Sequence, residues 1–379
     1  MSTSANRFEK LGNFLVRRKR FALAGSLLFV ILSGVIGGQV FARFDSGGYS
    51  NSKGDAIKVS EFLQKDLGRK QPAVAVILHS SGSSVDDPNF AQSAAKLESQ
   101  IKSEIDVEKT LSYWSAGNLN SLKSKDGKSA YIFVYLKSDD FTKVDETSGL
   151  LQKKYDGKFE NLDVYLTGTG IFAHAVNDKI KLDLGVAESI AIPLTFILLL
   201  IVFGSVVASA MPLVVGVISI VGTFLILYLI TLLTKVSIFA LNLTTGLGLG
   251  LGIDYALLMV NRFREELRKG KSKEEAIIAT MGSAGRTVFF SGLTVILTLL
   301  SLTLFPINFL KSMGYAGASV VAIAIIAALI PLPAFLLLLG TKIDKWQVRK
   351  SAITPKEEGR WSQIARFVMR RPVSVLLIC

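Results

Sequence analysis

Apolar residues fall into six long runs, at about 21–41, 186–203, 211–233, 238–260, 287–304 and 315–339. At ~1.5 Å of rise per residue, each is long enough to cross a hydrocarbon core of ~30 Å as a helix. Pro331 and Pro333 predict a kink or an early end in the sixth run. Between the first and second runs the pattern changes. Residues 42–184 are polar and rich in Lys, Asp and Ser, and their apolar positions recur over shorter stretches. A helix is expected over 55–67, a buried strand over 73–78 and a helix over 87–104 behind the capping sequence Asp86-Asp87-Pro88. Strands over 109–114 and 130–136 follow, then a helix over 139–155 and a strand over 162–166. After the turn Thr167-Gly168-Thr169-Gly170, a helix is expected to run from Ile171 into the membrane. This is β-α-β twice, which predicts a ferredoxin-like α+β domain. The fold class is thus an α-helical polytopic membrane protein of six spans with an α+β ferredoxin-like domain outside the cytoplasm.

Charge orients this layout. The net charge is +13. The basic residues crowd beside apolar runs, so they read as a positive-inside signal rather than a nucleic-acid surface. Arg17, Arg18, Lys19 and Arg20 precede the first run. Arg262, Arg264, Arg268, Lys269, Lys271, Lys273 and Arg286 follow the fourth, and a longer basic series follows the sixth, whereas the outer linkers hold only Lys235 and Lys311. The expected order is a cytoplasmic N-terminus (1–20), span 1 (21–41), the extracytoplasmic domain (42–184), spans 2–6 (185–340) and a cytoplasmic linker (341–371). This is a multi-pass protein of the inner (plasma) membrane with both ends of the repeat cytoplasmic. Part of the first inner linker, 273–281, reads as a helix lying along the membrane surface. The stretch from Phe8 resembles the stretch from Trp361, down to the pairs Arg17-Arg18 and Arg370-Arg371. A second repeat is therefore expected to begin near Trp361, with 372–379 as the start of a truncated span 7 and the rest of a C-terminal repeat missing.

The fourth run carries the candidate chemistry. Asp254 lies well inside it, and a charge there is costly enough to be a functional hypothesis by default. Gly246, Gly250 and Asp254 share one helix face, and Gly248, Gly252 and Ala256 form a second stripe on roughly the opposite face. Small residues at that spacing allow close helix approach in lipid. Two such faces predict a helix hemmed in on both sides, with Asp254 facing protein as a protonatable switch. The alternative is that Asp254 only fixes packing through a hydrogen bond. In the fifth run Thr287, Ser291, Thr294, Thr298 and Ser301 share one face, and Thr294 is expected at the depth of Asp254. Such hydroxyls either serve the acid or bond their own backbone. Glu188, near the outer end of the second run, lines an entry path or snorkels to the interface. His79 and His174 read as structural residues. The glycines do not form a nucleotide fingerprint, and the sequence contains no recognisable nucleophile–base pair, metal cluster or phosphate loop. Neither an enzyme nor a cofactor is expected.

One long loop domain after span 1, followed by five clustered spans, resembles half of a resistance-nodulation-division (RND) transporter, specifically its MMPL branch. The carrying residues are Gly250-Leu251-Gly252-Ile253-Asp254-Tyr255, Asn261-Arg262-Phe263-Arg264-Glu265-Glu266, Gly285-Arg286-Thr287 and Ser291-Gly292-Leu293-Thr294-Val295. The resemblance implies a porter-like role for the outer domain and a proton relay at Asp254 and Tyr255; Ser291 and Thr294, by their depth, and Gly250, on the face of the acid, are the expected support. It implies antiport driven by the proton motive force, with membrane lipids around the protein and a lipid or other hydrophobic compound as cargo. An oligomer is left open. The competing expectations are a protein-translocation accessory of the SecD/SecF type and a lipid-binding sensor of this fold that does not transport.

Overall fold

The computed structural model describes residues 7–45, 47, 54–55, 58–59, 62–63, 66, 70–348 and 366–370. The helix expected over 55–67 lies largely outside these residues. So do the Trp361 end of the repeat, apart from a short helical stretch at 366–370, and the start of a seventh span at 372–379.

In chain order the elements are α1 (Arg7–Gly37), β1 (Val74–His79), α2 (Pro88–Lys102), β2 (Val107–Ser112), β3 (Ser129–Leu136), α3 (Phe141–Tyr155), β4 (Gly157–Phe159) and β5 (Leu162–Thr167). The membrane helices α4 (Thr169–Phe203), α5 (Val206–Thr231) and α6 (Ala240–Arg268) follow, then the short α7 (Lys273–Thr280), α8 (Arg286–Leu300), α9 (Asn308–Leu329) and α10 (Pro331–Leu339). Among the described residues six helical segments are long and apolar enough to cross a membrane, with α7 and α8 in one of them and α9 and α10 in another. The chain is a multi-pass membrane protein. Helix α1 is bent at Arg18 (φ −122°, ψ 29°), so its first turns form a separate arm. That arm buries Leu15 and sets Phe8 against Phe289, ring centroids 5.6 Å apart. The sixth span breaks at Ile330, just before Pro331.

The polar region folds into a five-stranded antiparallel sheet of order β2-β3-β1-β5-β4. Without the β4 edge strand, this is the ferredoxin-like arrangement. Central β1 buries Val74, Val76 and Leu78 against Phe90, Leu97 and Ile101 of α2. Asp140 caps α3, accepting from the Thr142 and Lys143 amides. The sequence pattern missed β4, whose three residues are too few to alternate. It starts at Gly157 with φ +123°. Glu104, beyond α2, accepts from Lys154 Nζ and Tyr155 Oη at 2.5 Å each. These two donors hold its carboxyl below the usual carboxylate range.

Two devices join the sheet domain to the spans. Helix α4 leaves the sheet and continues into the bilayer without interruption. The linker after α1 is stitched to the α5–α6 loop, with the Asp45 amide donating to Val236 O at 2.8 Å and the Ile238 amide to Asp45 O at 3.0 Å. The same loop reaches α3 through Lys235 and Asp140, 3.2 Å apart.

The helix expected over 273–281 is present as α7, with its apolar side against protein. A capping box, Ser272 with Glu275, starts α7, and Ala276, Ile277 and Thr280 are buried. A π-helical turn, Met281–Gly285, then carries the chain directly into α8. The protein on that side is the α1 arm. Gly12 brings its backbone so close that an added Cβ would sit 3.2 Å from Ile278 Cα, so the apolar side of α7 is covered by protein.

Candidate functional site

Helix α6 organises the membrane part, and its two small-residue faces have different fates. The Gly248–Gly252–Ala256 face is closed. A Cβ on Gly248 would meet Ile220 at 2.7 Å and Val320 at 2.9 Å, and one on Gly252 would meet Gly216 Cα at 2.9 Å. Ala256 is fully buried. This face packs between α5 and α9. The Gly246–Gly250–Asp254 face is open: a Cβ on either glycine would meet nothing within 4 Å, and Asp254 is exposed. The expectation that Asp254 faces protein on a helix hemmed in on both sides is therefore wrong for this chain. The spacing identifies faces that permit close approach, but says nothing about which neighbour fills them.

Tyr255, one residue on, is buried. Its hydroxyl is shielded and makes no hydrogen bond of standard geometry. It stands beside Ser291 across the gap to α8. It can do so because position 292 is glycine, where a Cβ would lie 3.1 Å from Tyr255 Oη and 2.5 Å from Ile325 Cδ1. Gly292 is the residue that sequence reasoning missed as part of the site. A glycine in an apolar helix was visible, but its partner was not. Consecutive residues on α6 thus point an acid to the open face and a phenol into the bundle, as the ~100° turn per residue requires.

The hydroxyl stripe divides. Thr287, Thr294, Thr298 and Ser301 donate to the carbonyls of Ser283, Phe290, Thr294 and Thr298, at 3.4, 3.0, 3.0 and 2.6 Å. All four are exposed. They bond their own backbone, as hydroxyls in helices do, and among the described residues no hydrogen bond joins Asp254 to Thr294 or Ser291. Ser291 is the one member brought to the Asp254–Tyr255 pair, through Tyr255. Glu188 is half-buried on α4, and its Oε1 is shielded without a hydrogen-bond partner. His174 is more engaged than expected. Its Nδ1 lies 2.8 Å from Asp145 Oδ1, while Asn177 Nδ2 donates to Asp145 Oδ2 at 2.9 Å, tying α3 to the start of α4. His79 pairs with Ser129 at 2.9 Å. Among the described residues no group of three or more His, Cys, Asp or Glu side chains is placed to hold a metal.

The end of α6 away from the sheet domain is an ion-pair knot. Glu266, 2% exposed, lies 2.8 Å from Arg262, 3.1 Å from Lys269 and 2.5 Å from Lys271. Arg264, buried over the Phe203 ring, reaches Asp344 beyond α10 at 2.6 Å. The Arg-Phe-Arg-Glu-Glu run therefore serves the structure, because it fastens the ends of α4, α6 and α10 together.

Comparison with known proteins agrees with this architecture. The model of the MMPL family matches residues 49–375. A membrane protein of Streptomyces coelicolor is 44% identical over 216 residues, covering 57% of this chain and 30% of its own length. The trehalose monomycolate exporter MmpL3 of Mycobacterium tuberculosis is 29% identical over 393 residues, covering 94% of this chain and 41% of the exporter. The mycolic acid-containing lipids exporter MmpL11 of Mycolicibacterium smegmatis is 36% identical over 214 residues, covering 55% of this chain and 22% of its own. The chain thus spans less than half the length of each of these relatives. With a family match over most of its residues, six spans and a ferredoxin-like domain between the first two, the chain belongs to the MMPL branch of the RND transporters.

Proposed function

We propose that this chain forms the first repeat of an exporter that moves lipids or other hydrophobic compounds outward in exchange for protons. In this reading Asp254 takes up and releases the proton and Tyr255 completes the relay, with Ser291 steadying the phenol. The observation that carries it is the junction of Asp254 and Tyr255: an acid on an open face midway along an apolar span, next to a buried phenol whose hydroxyl stands beside Ser291. An ionisable side chain inside an apolar span marks an ion or proton path by default. Transfer of one charge across ~100 mV supplies ~2.3 kcal/mol, to which a pH gradient adds.

The open face supports a two-repeat assembly. Gly246 and Gly250 leave room for another helix to approach α6 closely, and the relatives are more than twice as long as the stretch they share with this chain. A second repeat seated there would bring its own groups to Asp254. The substrate class rests on the relatives named as lipid exporters.

The test is export and proton flux measured together in cells carrying Asp254→Asn and Asp254→Glu. Asparagine should abolish both, and glutamate should restore part of each. Undiminished lipid export in Asp254→Asn would remove the relay. Export without any proton flux in the unaltered protein would remove the antiport.

A further inference from the structure

A groove of about 660 Å³ opens between α1, α5 and α10, and Asp254 is not among its lining residues. Its size is within the range of small-molecule sites, which run from ~300 to ~1,000 Å³. Leu23 and Leu27 of α1, Leu213 and Val217 of α5, and Phe335 of α10 form its walls, and Ser26 is the one polar side chain among its lining residues. It lies at the end of the bundle away from the sheet domain, because its residues follow the start of α1 and α5 and precede the end of α10. From Arg20 to Val30, the deepest lining residue on α1, is about 15 Å of helix, which is half of a ~30 Å hydrocarbon core. The groove therefore spans the depth of one leaflet.

Its mouth is charged. Arg17, Arg18, Lys19 and Arg20 sit where α1 bends, and none of them pairs with a carboxylate among the described residues. Helical spacing puts two of these cations over the groove. Lys19 is followed at four and seven residues by Leu23 and Ser26, and Arg20 at three and seven by Leu23 and Leu27. Two long cationic side chains above an apolar slot one leaflet deep match an anion carried on an acyl chain. A soluble phosphate would use the cations and leave the slot empty. A zwitterionic lipid would use the slot and gain less from the cations.

We propose that this groove binds one anionic glycerophospholipid of the leaflet opposite the sheet domain, its chain against Leu23, Leu27, Leu213 and Val217 and its phosphate on Lys19 and Arg20. The site joins α1 to α5 and α10 through a bound lipid, and it does not depend on the exported cargo or on the proton relay.

The experiment is native mass spectrometry of the full chain in dodecyl maltoside, with dioleoylphosphatidylglycerol or dioleoylphosphatidylcholine added. The two lipids share acyl chains and differ in headgroup charge. One phosphatidylglycerol should be retained in preference to phosphatidylcholine. Lys19→Gln with Arg20→Gln should weaken its retention roughly tenfold, to the phosphatidylcholine level. The swap Lys19→Arg with Arg20→Lys should preserve it. Leu27→Trp, an exposed position that narrows the groove, should lower retention of both lipids. Equal retention of the two lipids by the unaltered chain would overturn the proposal. So would phosphatidylglycerol binding that is indifferent to Leu27→Trp, because the cations would then be a diffuse patch, or loss of binding in the charge-preserving swap.

Discussion

Gly252 of α6 and Gly216 of α5 touch backbone to backbone: a Cβ on Gly252 would lie 2.9 Å from Gly216 Cα and 3.1 Å from its nitrogen. Neither helix can move back without unpacking Gly248 from Ile220 and Val320. Gly252→Val should therefore destabilise the bundle by about 1–3 kcal/mol, the usual cost of overpacking. Gly250→Val, two residues away on the open face, should leave the thermal midpoint of this chain nearly unchanged. Unfolding of the two variants in detergent checks the contrast. If both substitutions cost the same, α6 is packed on both faces after all.

Tyr255→Phe separates folding from function. The hydroxyl is buried without a hydrogen bond of standard geometry, so deleting it removes an unmet desolvation cost and should leave stability equal or slightly higher. If Tyr255 completes the relay, export should fall all the same. A variant that unfolds earlier than the unaltered protein would mean that the phenol has a structural hydrogen bond instead.

Gly292→Ala tests what holds the phenol in place. The new methyl would press on both Tyr255 Oη and Ile325. Export should drop with a destabilisation of about 1–3 kcal/mol, while Gly282→Ala, against the flexible end of Glu9, should cost less. Midpoints of thermal unfolding for the two variants, alongside export, provide the measurement.

Glu266→Gln strips one anion from three cations. The side chain is 2% exposed, but its partners are one-third to one-half exposed. The cost should fall between the ~1 kcal/mol of a surface pair and the ~3–5 kcal/mol of a broken buried one. Raised salt should shrink the difference between variant and parent in a denaturation series. A difference indifferent to salt would mean that packing, not charge, holds the knot.

Glu104 gives the sheet domain a pH dependence of known sign. Its carboxyl is held low by hydrogen bonds from Lys154 and Tyr155. A depressed carboxylate contributes stability that is fully present above its unfolded pKa and is lost as pH falls through its folded one. Glu104→Gln should thus lower the denaturant midpoint of the sheet domain at neutral pH. The two proteins should converge below the ordinary carboxylate range. A gap that stays constant down to acid would assign the effect to shape and not to charge.

The six apolar runs and the β-α-β alternation were legible in the sequence because each is a local pattern, repeated often enough for hydrophobic burial to dictate the element. The Asp86-Asp87-Pro88 start of α2 and the proline break before α10 were legible for the same reason: they act on their own backbone. Asp254, too, stood out alone, since an acid in an apolar run needs no partner to be noticed. Residues distant in the chain decided the rest. Only the packing of α5 and α9 showed that Gly248 and Gly252 are closed in while Gly246 and Gly250 are open. Only the α1 arm showed why α7 is covered, and only the meeting of α6 with α8 gave Gly292 its purpose. Helical periodicity sorts side chains onto faces. Which face meets protein depends on what other segments bring to it, and that is a property of the assembled bundle rather than of any one helix.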